Sequence, residues 1–256
     1  MRVPTFAAPD GLELTYDVTG EGPPVLLHHG FAADVEANWA RPGIVDALVR
    51  SGRTVVALDA RGHGRSATPH DPEAYRGPAM ARDVSALLDH LGIDAVDVVG
   101  YSMGGLVTSL LLADEPRLRS AVLGGVGARL ILRTGGPPMP AAAIAAALEA
   151  DDPATVTGAV PRAFRAFADS TGADRLALAA IQRAGLPPAP DLSQVRVPVL
   201  VIAGDRDDLV GDPSVLAAAI PGARCVVVSG DHLSAVFDPR FAAEVVTFLD
   251  GVRASA

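Results

Sequence analysis

Short apolar runs recur along this chain and alternate with segments of helical periodicity. Runs of Val, Leu and Ile are typical of strands buried on both faces of a parallel sheet. We predict such strands at 25–29, 54–58, 96–99, 121–123, 199–202 and 226–228. Residues 12–18 partly alternate apolar and polar positions, which predicts an edge hairpin strand with one solvated face.

The segments between these runs are predicted to be helices. In residues 80–91 the apolar positions recur every three to four residues, and Gly92 follows as a helix terminator. The nearly all-apolar segment 103–113 predicts a buried helix, and 44–49 and 241–249 are further helical segments. Strand–helix alternation of this kind indicates an open, mostly parallel α/β sheet with right-handed crossovers.

One stretch, residues 128–194, contains no clean buried strand. Proline-rich sequence lies near both of its ends, and helices are predicted at 141–150, 160–167 and 175–183. Its many apolar residues argue against disorder. We therefore expect an inserted helical subdomain at 128–194 and a core formed by residues 1–127 and 195–256.

The cysteine and lysine content excludes several kinds of chemistry. The 256 residues include one cysteine and no lysine. Disulfides within the chain, cysteine zinc sites, Schiff-base catalysis and a P-loop are therefore excluded. The cysteine, Cys225, lies in an apolar run, so we expect a buried structural thiol.

The net charge of the chain indicates which binding partners to exclude, and its apolar segments indicate where in the cell we expect it. A formal net charge of −9 without basic clusters argues against nucleic acid and anionic membrane surfaces as partners. No apolar run reaches the length of a membrane span, and no secretory leader pattern opens the sequence. We expect a cytoplasmic protein, and no His/Asp/Glu cluster has a spacing that predicts a metal site.

The pattern G-x-S-x-G occurs once, at residues 100–104. It follows a predicted buried strand and precedes a predicted buried helix, which is the context of a nucleophile elbow. In such an elbow a strained turn projects the serine hydroxyl above the sheet at a helix N-terminus, where developing negative charge is favoured. Ser102 is therefore the candidate nucleophile.

A serine nucleophile needs a base, and the base needs an orienting acid. His232 is the best candidate base because it directly follows the last predicted strand. Asp205, Asp207 and Asp208 all follow the strand at 199–202 and compete for the role of the acid. The chain order Ser, Asp, His is that of the α/β-hydrolase arrangement.

The sequence resembles the α/β-hydrolase superfamily, specifically its serine esterase and haloperoxidase-like branch. The likeness covers nearly the whole chain and rests on motifs at 29–31 (HGF), 59–66 (DARGHGRS), 100–105 (GYSMGG), 204–207 (GDRD) and 231–232 (DH). It implies a mostly parallel eight-stranded sheet flanked by helices, with 128–194 as a small helical cap.

The resemblance also implies site roles. The family's G-x-x-D turn selects Asp207 as the acid beside Ser102 and His232. The backbone N–H groups of Phe31 and Met103 would form the oxyanion hole. We expect an apolar substrate pocket that is lined by Phe31, Trp39, Tyr101, Met103, Phe164, Phe167, Leu209 and Leu233.

These observations predict a serine hydrolase that uses no cofactor and cleaves an ester of a small or medium apolar molecule through an acyl-enzyme. A cofactor-free haloperoxidase or perhydrolase, or a C–C hydrolase, would use the same triad. Epoxide hydrolases are disfavoured because those relatives use aspartate where this chain has Ser102. A hydrolase-fold ligand receptor with little turnover is the alternative of another class.

Overall fold

A single eight-stranded sheet organises the molecule. The computed structural model describes residues 3–254. The strands are β1 (Thr5–Ala7), β2 (Glu13–Thr19), β3 (Pro24–His28), β4 (Thr54–Leu58), β5 (Val96–Tyr101), β6 (Leu118–Gly124), β7 (Val199–Gly204) and β8 (Arg224–Val228). Their order in the sheet is β1-β2-β4-β3-β5-β6-β7-β8. The predicted α/β-hydrolase fold is therefore confirmed.

Six adjacent strands, from β4 to β8, run parallel, whereas β1 and β2 pair antiparallel. Parallel strands bring their carboxyl ends to one edge of the sheet, and ligands bind at that edge in open α/β sheets. The loops that follow β3, β5, β7 and β8 all begin at this edge. The topology therefore collects the candidate residues from four distant parts of the sequence.

Helices cover both faces of the sheet. They are α1 (Ile44–Arg50), α2 (Ala79–Leu91), α3 (Met103–Asp114), α4 (Ala141–Glu149), α5 (Ala159–Thr171), α6 (Arg175–Ala184), α7 (Pro213–Ala218) and α8 (Pro239–Ala254). Apolar residues of α1 and α8 pack on one face of the sheet, and those of α2 and α3 pack on the other. Gly92 ends α2 in the left-handed conformation, as predicted. No helix within residues 3–254 is long and apolar enough to cross a membrane.

The two ends of the sheet differ from the prediction. β2 is not the edge strand, because β1 pairs along its outer side. β8 is the opposite edge, and of its five side chains only that of Val228 is buried. Cys225 is consequently exposed rather than buried, and 46% of Val227 is exposed. Apolar sequence alone does not distinguish an edge strand from a central one.

The inserted segment 128–194 contains α4, α5 and α6, which match the three predicted helices. Their apolar side chains pack together and against Phe31 and Met103 of the core. The hydroxyl of Thr171 at the end of α5 donates a hydrogen bond of 2.8 Å to the carbonyl of Ala32. The insertion thus lies over the carboxyl edge of the sheet; its division from the core as a separate cap domain stays a prediction.

Candidate active site

The turn between β5 and α3 holds Ser102 in a conformation that L-residues rarely adopt, with φ 53° and ψ −110°. Its flanking glycines permit this turn. A Cβ on Gly100 would collide with the carbonyl of Gly104, and a Cβ on Gly104 would collide with the carbonyl of His28. The Ser102 amide donates to the carbonyl of Gly124 on β6, at 2.8 Å. The elbow predicted from the sequence is present, and its strain is sustained by close backbone packing.

Ser102 begins a hydrogen-bonded chain of three side chains. His232 Nε2 lies 2.9 Å from Ser102 Oγ, and His232 Nδ1 lies 2.8 Å from Asp207 Oδ2. The Asp207 side chain is fully buried and that of His232 is 11% exposed. Because a carboxylate only accepts, Nδ1 carries the proton and Nε2 is free to accept one from Ser102. The arrangement has the geometry of a nucleophile, a base and an orienting acid.

The turn after β7 shows why Asp207 rather than its neighbours faces His232. The second carboxylate oxygen of Asp207 accepts the amide of Leu209 at 3.2 Å, which fixes the side chain. Asp205 instead accepts the amide of Gly230 at 2.9 Å and ties this turn to the histidine loop. The Asp208 side chain is exposed. Of the competing carboxylates, only Asp207 contacts the histidine.

The loop that carries His232 is anchored from both sides. Tyr101, directly before the nucleophile, donates its phenolic hydrogen to the His232 carbonyl at 2.9 Å. Burial raises the pKa of Tyr101, so the phenol keeps its proton. Asp231 accepts from the amides of Leu233 and Ser234, and the Ser234 hydrogen bonds lower the pKa of its carboxyl. These bonds hold the imidazole over Ser102.

The loop after β3 passes directly over the serine. A Cβ built on Gly30 would lie 3.4 Å from Ser102 Cβ, so this loop backbone packs closely beside the serine. The Gly30 amide donates to Asn38 Oδ1 at 2.7 Å, and Asn38 is buried. Ala32 adopts a left-handed φ of 62°. The backbone around Phe31 is therefore held by specific contacts in a strained conformation.

Three imidazoles beneath this loop are buried: His28, His29 and His63. Burial lowers the pKa of His28 to about 3, and it also lowers the pKa of His29 and, strongly, that of His63. His29 Nε2 accepts the Ala60 amide at 3.0 Å, and its Nδ1 donates to the Gly30 carbonyl at 2.8 Å. These groups stay neutral and shape the loop, as expected for structural histidines.

Two cavities meet at Ser102, and both are bordered by Phe31 and Phe164. The smaller, about 250 Å³, is also lined by His232, Asn38, Tyr101, Phe167, Leu233 and Phe237. The larger, about 590 Å³, extends along α3 past Met103, Leu106, Val107 and Leu110 to Arg129 and Arg133. A separate groove of about 840 Å³ lies between Asp17, Arg65 and Asp174 and does not reach Ser102. Ser102 thus has open space on two sides, mostly apolar in the larger cavity and of mixed polarity in the smaller one, which Asp34 and Arg41 also line.

Six of the eight predicted pocket residues line these two cavities, whereas Trp39 and Leu209 do not. Trp39 is fully buried in the core cluster that includes α1 residues, because the turn Glu36–Ala40 directs its ring inward. Leu209 contributes its backbone amide to Asp207 instead. The expectation that these two side chains line the pocket is therefore wrong.

Sequence reasoning missed three residues at the site. Asn38 follows no motif, and its role depends on a buried contact with a backbone amide eight residues away. Arg129 and Arg133 lie in the inserted segment, where no family pattern guides interpretation. Their spacing of four residues, which places both side chains on one side of a helical turn, is the one feature of the sequence that could have indicated the pair. Among residues 3–254, no group of three or more His, Cys, Asp or Glu residues is arranged to hold a metal ion.

Comparison with known proteins supports the same architecture. The family model described as alpha/beta hydrolase fold matches residues 23–178. A non-heme haloperoxidase of Rhodococcus erythropolis is 36% identical over 137 residues, which make up 52% of this chain and 47% of that protein. An sn-1-specific diacylglycerol lipase of Xenopus tropicalis is 41% identical over 104 residues, which make up 40% of this chain and 31% of the lipase. The matches thus span 31% to 47% of the length of these curated relatives.

Solved structures match over almost the entire chain. An enol-lactonase from Burkholderia xenovorans is 27% identical, with a TM-score of 0.78, and covers 96% of this chain and 100% of its own. A hydrolase from Pseudomonas aeruginosa is 30% identical, with a TM-score of 0.77, and covers 97% of this chain and 98% of its own. Together with the family model, these matches show that the chain belongs to the alpha/beta hydrolase fold family.

Proposed function

We propose that this protein is a serine hydrolase that cleaves carboxylic esters through an acyl-enzyme on Ser102. The observation that carries the proposal is the unbroken hydrogen-bonded chain from Ser102 through His232 to Asp207. Serine is a weak nucleophile without such a base, and His232 needs Asp207 to fix its tautomer and to stabilise its charged form.

The reaction proceeds in two half-reactions. Ser102 Oγ attacks the ester carbonyl as His232 Nε2 takes its proton, and the same proton then passes to the departing alcohol oxygen. Water next attacks the acyl-enzyme, gives its proton to His232 and releases the acid, and the serine regains a proton from His232. Bonds and protons balance, and the overall reaction consumes one ester and one water molecule.

The negative charge that develops on the carbonyl oxygen needs donors that are already in place. We assign this role to the backbone amides of Phe31 and Met103, which flank Ser102 from the loop after β3 and from the first residue of α3. Asn38 and the strained Ala32 hold the first of these amides in position. A preorganised donor of this kind contributes about 10²–10³ in rate.

The two cavities at Ser102 indicate where the alcohol part and the acyl part of the ester bind. His232 must lie beside the leaving oxygen to protonate it, and it lines only the smaller of the two cavities at Ser102. We therefore assign the alcohol part to the 250 Å³ cavity and the acyl part to the 590 Å³ cavity. The preferred substrate has a larger acyl group than alcohol group.

Two isomeric esters, methyl octanoate and heptyl acetate, test this assignment because they differ only in where the carbonyl lies. We expect kcat/KM to be roughly tenfold or more higher for methyl octanoate, since each methylene that loses burial costs about 0.8 kcal/mol. Equal values, or a preference for heptyl acetate, would contradict the assignment. Titration of the released acid measures both rates.

The serine mechanism itself is tested in the same assay with two variants. Ser102→Ala should lower kcat about 10⁴-fold or more. Ser109→Ala is the matched control, because Ser109 is a fully buried serine of α3 whose hydroxyl bonds only the carbonyl of Leu106, at 2.7 Å. Ester hydrolysis by Ser102→Ala close to the wild-type rate would exclude the proposal. A single stoichiometric release without turnover would favour a ligand receptor.

Perhydrolysis is a second candidate, and the 36% identity to a non-heme haloperoxidase favours it. The same acyl-enzyme would then be attacked by hydrogen peroxide in place of water to give a peracid. Adding peroxide and bromide to the ester assay distinguishes the two reactions. Bromination of a dye that requires both Ser102 and the ester would support perhydrolysis, whereas acid release that is insensitive to peroxide would support hydrolysis alone.

A further inference from the structure

Two arginines stand out in the wall of the larger cavity. Arg129 lies in the helical turn Ala128–Leu132, and Arg133 ends that turn four residues later. They are the only charged side chains among the described residues that line this cavity, and no aspartate or glutamate lines it. Most of its other lining is apolar; the Arg129 side chain is partly buried in this wall, whereas Arg133 is exposed to solvent.

Neither arginine has an acidic partner among the residues that the structure describes. Within residues 3–254, most arginines lie within 4.0 Å of a carboxylate, as Arg61 does to Asp83 and Arg165 does to Asp169. Arg129 and Arg133 do not, although the chain carries a net charge of −9. Two like charges on one helical turn repel each other, and an anion bound between them would offset that repulsion.

Protein contacts hold both side chains in place without neutralising them. Arg129 donates from one terminal nitrogen to the Asp208 carbonyl at 2.8 Å, and its Nε is buried without a partner. Its guanidinium packs against Gly136, where any Cβ would displace it. Arg133 adopts a left-handed φ of 58° and donates to the Pro187 carbonyl. Strain at a cavity wall is typical of a site that serves binding.

From this pair we infer that the larger cavity binds an anionic substrate, specifically an ester or lactone whose acyl part carries a second carboxylate that lies against Arg129 and Arg133. The inference rests on the proposed function, which assigns the acyl part to this cavity. A guanidinium presents its donors in a planar fork that matches a carboxylate, and the apolar walls between Ser102 and the arginines fit the connecting carbon chain.

The carboxylate would act on specificity rather than on the bond-breaking step. It anchors the far end of the acyl chain, while the ester carbonyl lies at Ser102. A neutral acyl chain of the same length would leave both guanidinium groups without an anion, and it would cover the partly buried Arg129 without pairing its charge. A site built to pair a charged group discriminates strongly against an analogue that lacks it.

The kinetic test compares monomethyl octanedioate with methyl octanoate at pH 7, where the free carboxyl is ionised. The readout is the selectivity ratio, which is kcat/KM for the first ester divided by kcat/KM for the second. We expect the double substitution Arg129→Gln with Arg133→Gln to lower this ratio roughly 10- to 100-fold, as the loss of charged hydrogen bonds does. Monoesters of shorter and longer diacids identify the chain length that reaches the arginines.

Matched variants separate this effect from damage to the fold. Arg133→Gln alone leaves the Arg129–Asp208 contact intact and should lower the ratio by part of the same amount. Arg129→Lys keeps the positive charge, so it should retain most of the wild-type selectivity ratio. Arg162→Gln is the control, because Arg162 is exposed on α5, lacks a carboxylate partner among the described residues and lines neither cavity. Its selectivity ratio should equal that of the wild type.

A binding measurement makes the inference independent of turnover. In Ser102→Ala protein, calorimetry should show monomethyl octanedioate binding roughly tenfold or more tightly than methyl octanoate, and the added double arginine substitution should abolish the difference. If that preference appears but the wild type hydrolyses neither ester, the proposed reaction fails and the carboxylate site stands. If neither binding nor the selectivity ratio depends on the arginines, the inference is wrong.

Discussion

The contact between Asn38 and Gly30 allows the loop that carries the proposed oxyanion donor, Phe31, to be tested without changing Ser102, His232 or Asp207. Asn38→Ala removes the oxygen that accepts the Gly30 amide at 2.7 Å, in a position where the asparagine is 5% exposed. A buried N–H without a partner costs about 1–3 kcal/mol. For a domain of this size each kcal/mol lowers Tm by roughly 2–4 °C, so we expect a fall of roughly 2–12 °C.

The same substitution should slow catalysis. Gly30 precedes Phe31, whose amide is the proposed oxyanion donor, and complete loss of such a donor costs about 10²–10³ in kcat. Because the donor is displaced rather than removed, we expect kcat for methyl octanoate to fall roughly 10- to 100-fold. KM should change little, since the oxyanion charge develops only in the transition state.

Ser120→Ala provides the control for lost stability. Ser120 is fully buried and donates to Asp97 at 2.8 Å, near the amino ends of β5 and β6 and therefore at the opposite edge of the sheet from Ser102. It should lower Tm without lowering kcat. An Asn38→Ala variant that lowers Tm to the same extent as Ser120→Ala but keeps kcat within twofold of the wild type would exclude a catalytic role for the Asn38–Gly30 contact.

Three further predictions concern the acid, the elbow and pH. Asp207→Asn should lower kcat roughly 10⁴-fold, because an amide at this place favours the wrong His232 tautomer; a loss of less than tenfold would exclude Asp207 as the orienting acid. Gly104→Ala should prevent stable folding, since its Cβ would collide with the His28 carbonyl. In the control Gly251→Ala the added Cβ would have no atom within 4 Å, so Tm should stay unchanged or rise. Thermal melts followed by circular dichroism measure both effects. The free energy of unfolding should fall as pH drops below about 6.5, because buried imidazoles whose pKa is lowered in the folded protein bind protons only when the chain unfolds. His28, with a folded-state pKa of about 3, should alone lower the free energy of unfolding by about 2 kcal/mol between pH 6.5 and 5. His29 and His63, whose pKa values are also lowered, should add to this loss. Urea titrations at the two pH values measure it, and a constant or rising stability would contradict it.

The elbow and the positions of the candidate base and acid could be predicted because each is a local pattern at the end of a strand. At Gly100 and Gly104 backbone atoms lie too close for a Cβ, so a turn of this kind requires glycine at both positions. The spacing of the two glycines therefore predicts the turn. The resemblance to a family then selected Asp207 from three neighbouring carboxylates, a choice that spacing alone left open. The structure supports the selection because only Asp207 contacts His232.

The wrong predictions concern residues whose burial depends on contacts with distant parts of the chain. Cys225 lies in an apolar run, yet β8 is an edge strand and leaves the thiol exposed. Trp39 is a large aromatic near the site in sequence, but its turn directs it into the core. Asn38 and the arginines of the larger cavity act through contacts between distant segments, which no local pattern records.

Covalent labelling determines whether Ser102 is the activated nucleophile, as we propose. A fluorophosphonate transfers its phosphonyl group to an activated serine with loss of fluoride, and mass spectrometry of the digested protein locates the adduct. We predict one phosphonyl group per chain, on the peptide that contains Ser102, with labelling retained in Ser109→Ala and absent in Ser102→Ala. Labelling at another residue, or an unlabelled Ser102 in protein that still hydrolyses methyl octanoate, would contradict the claim.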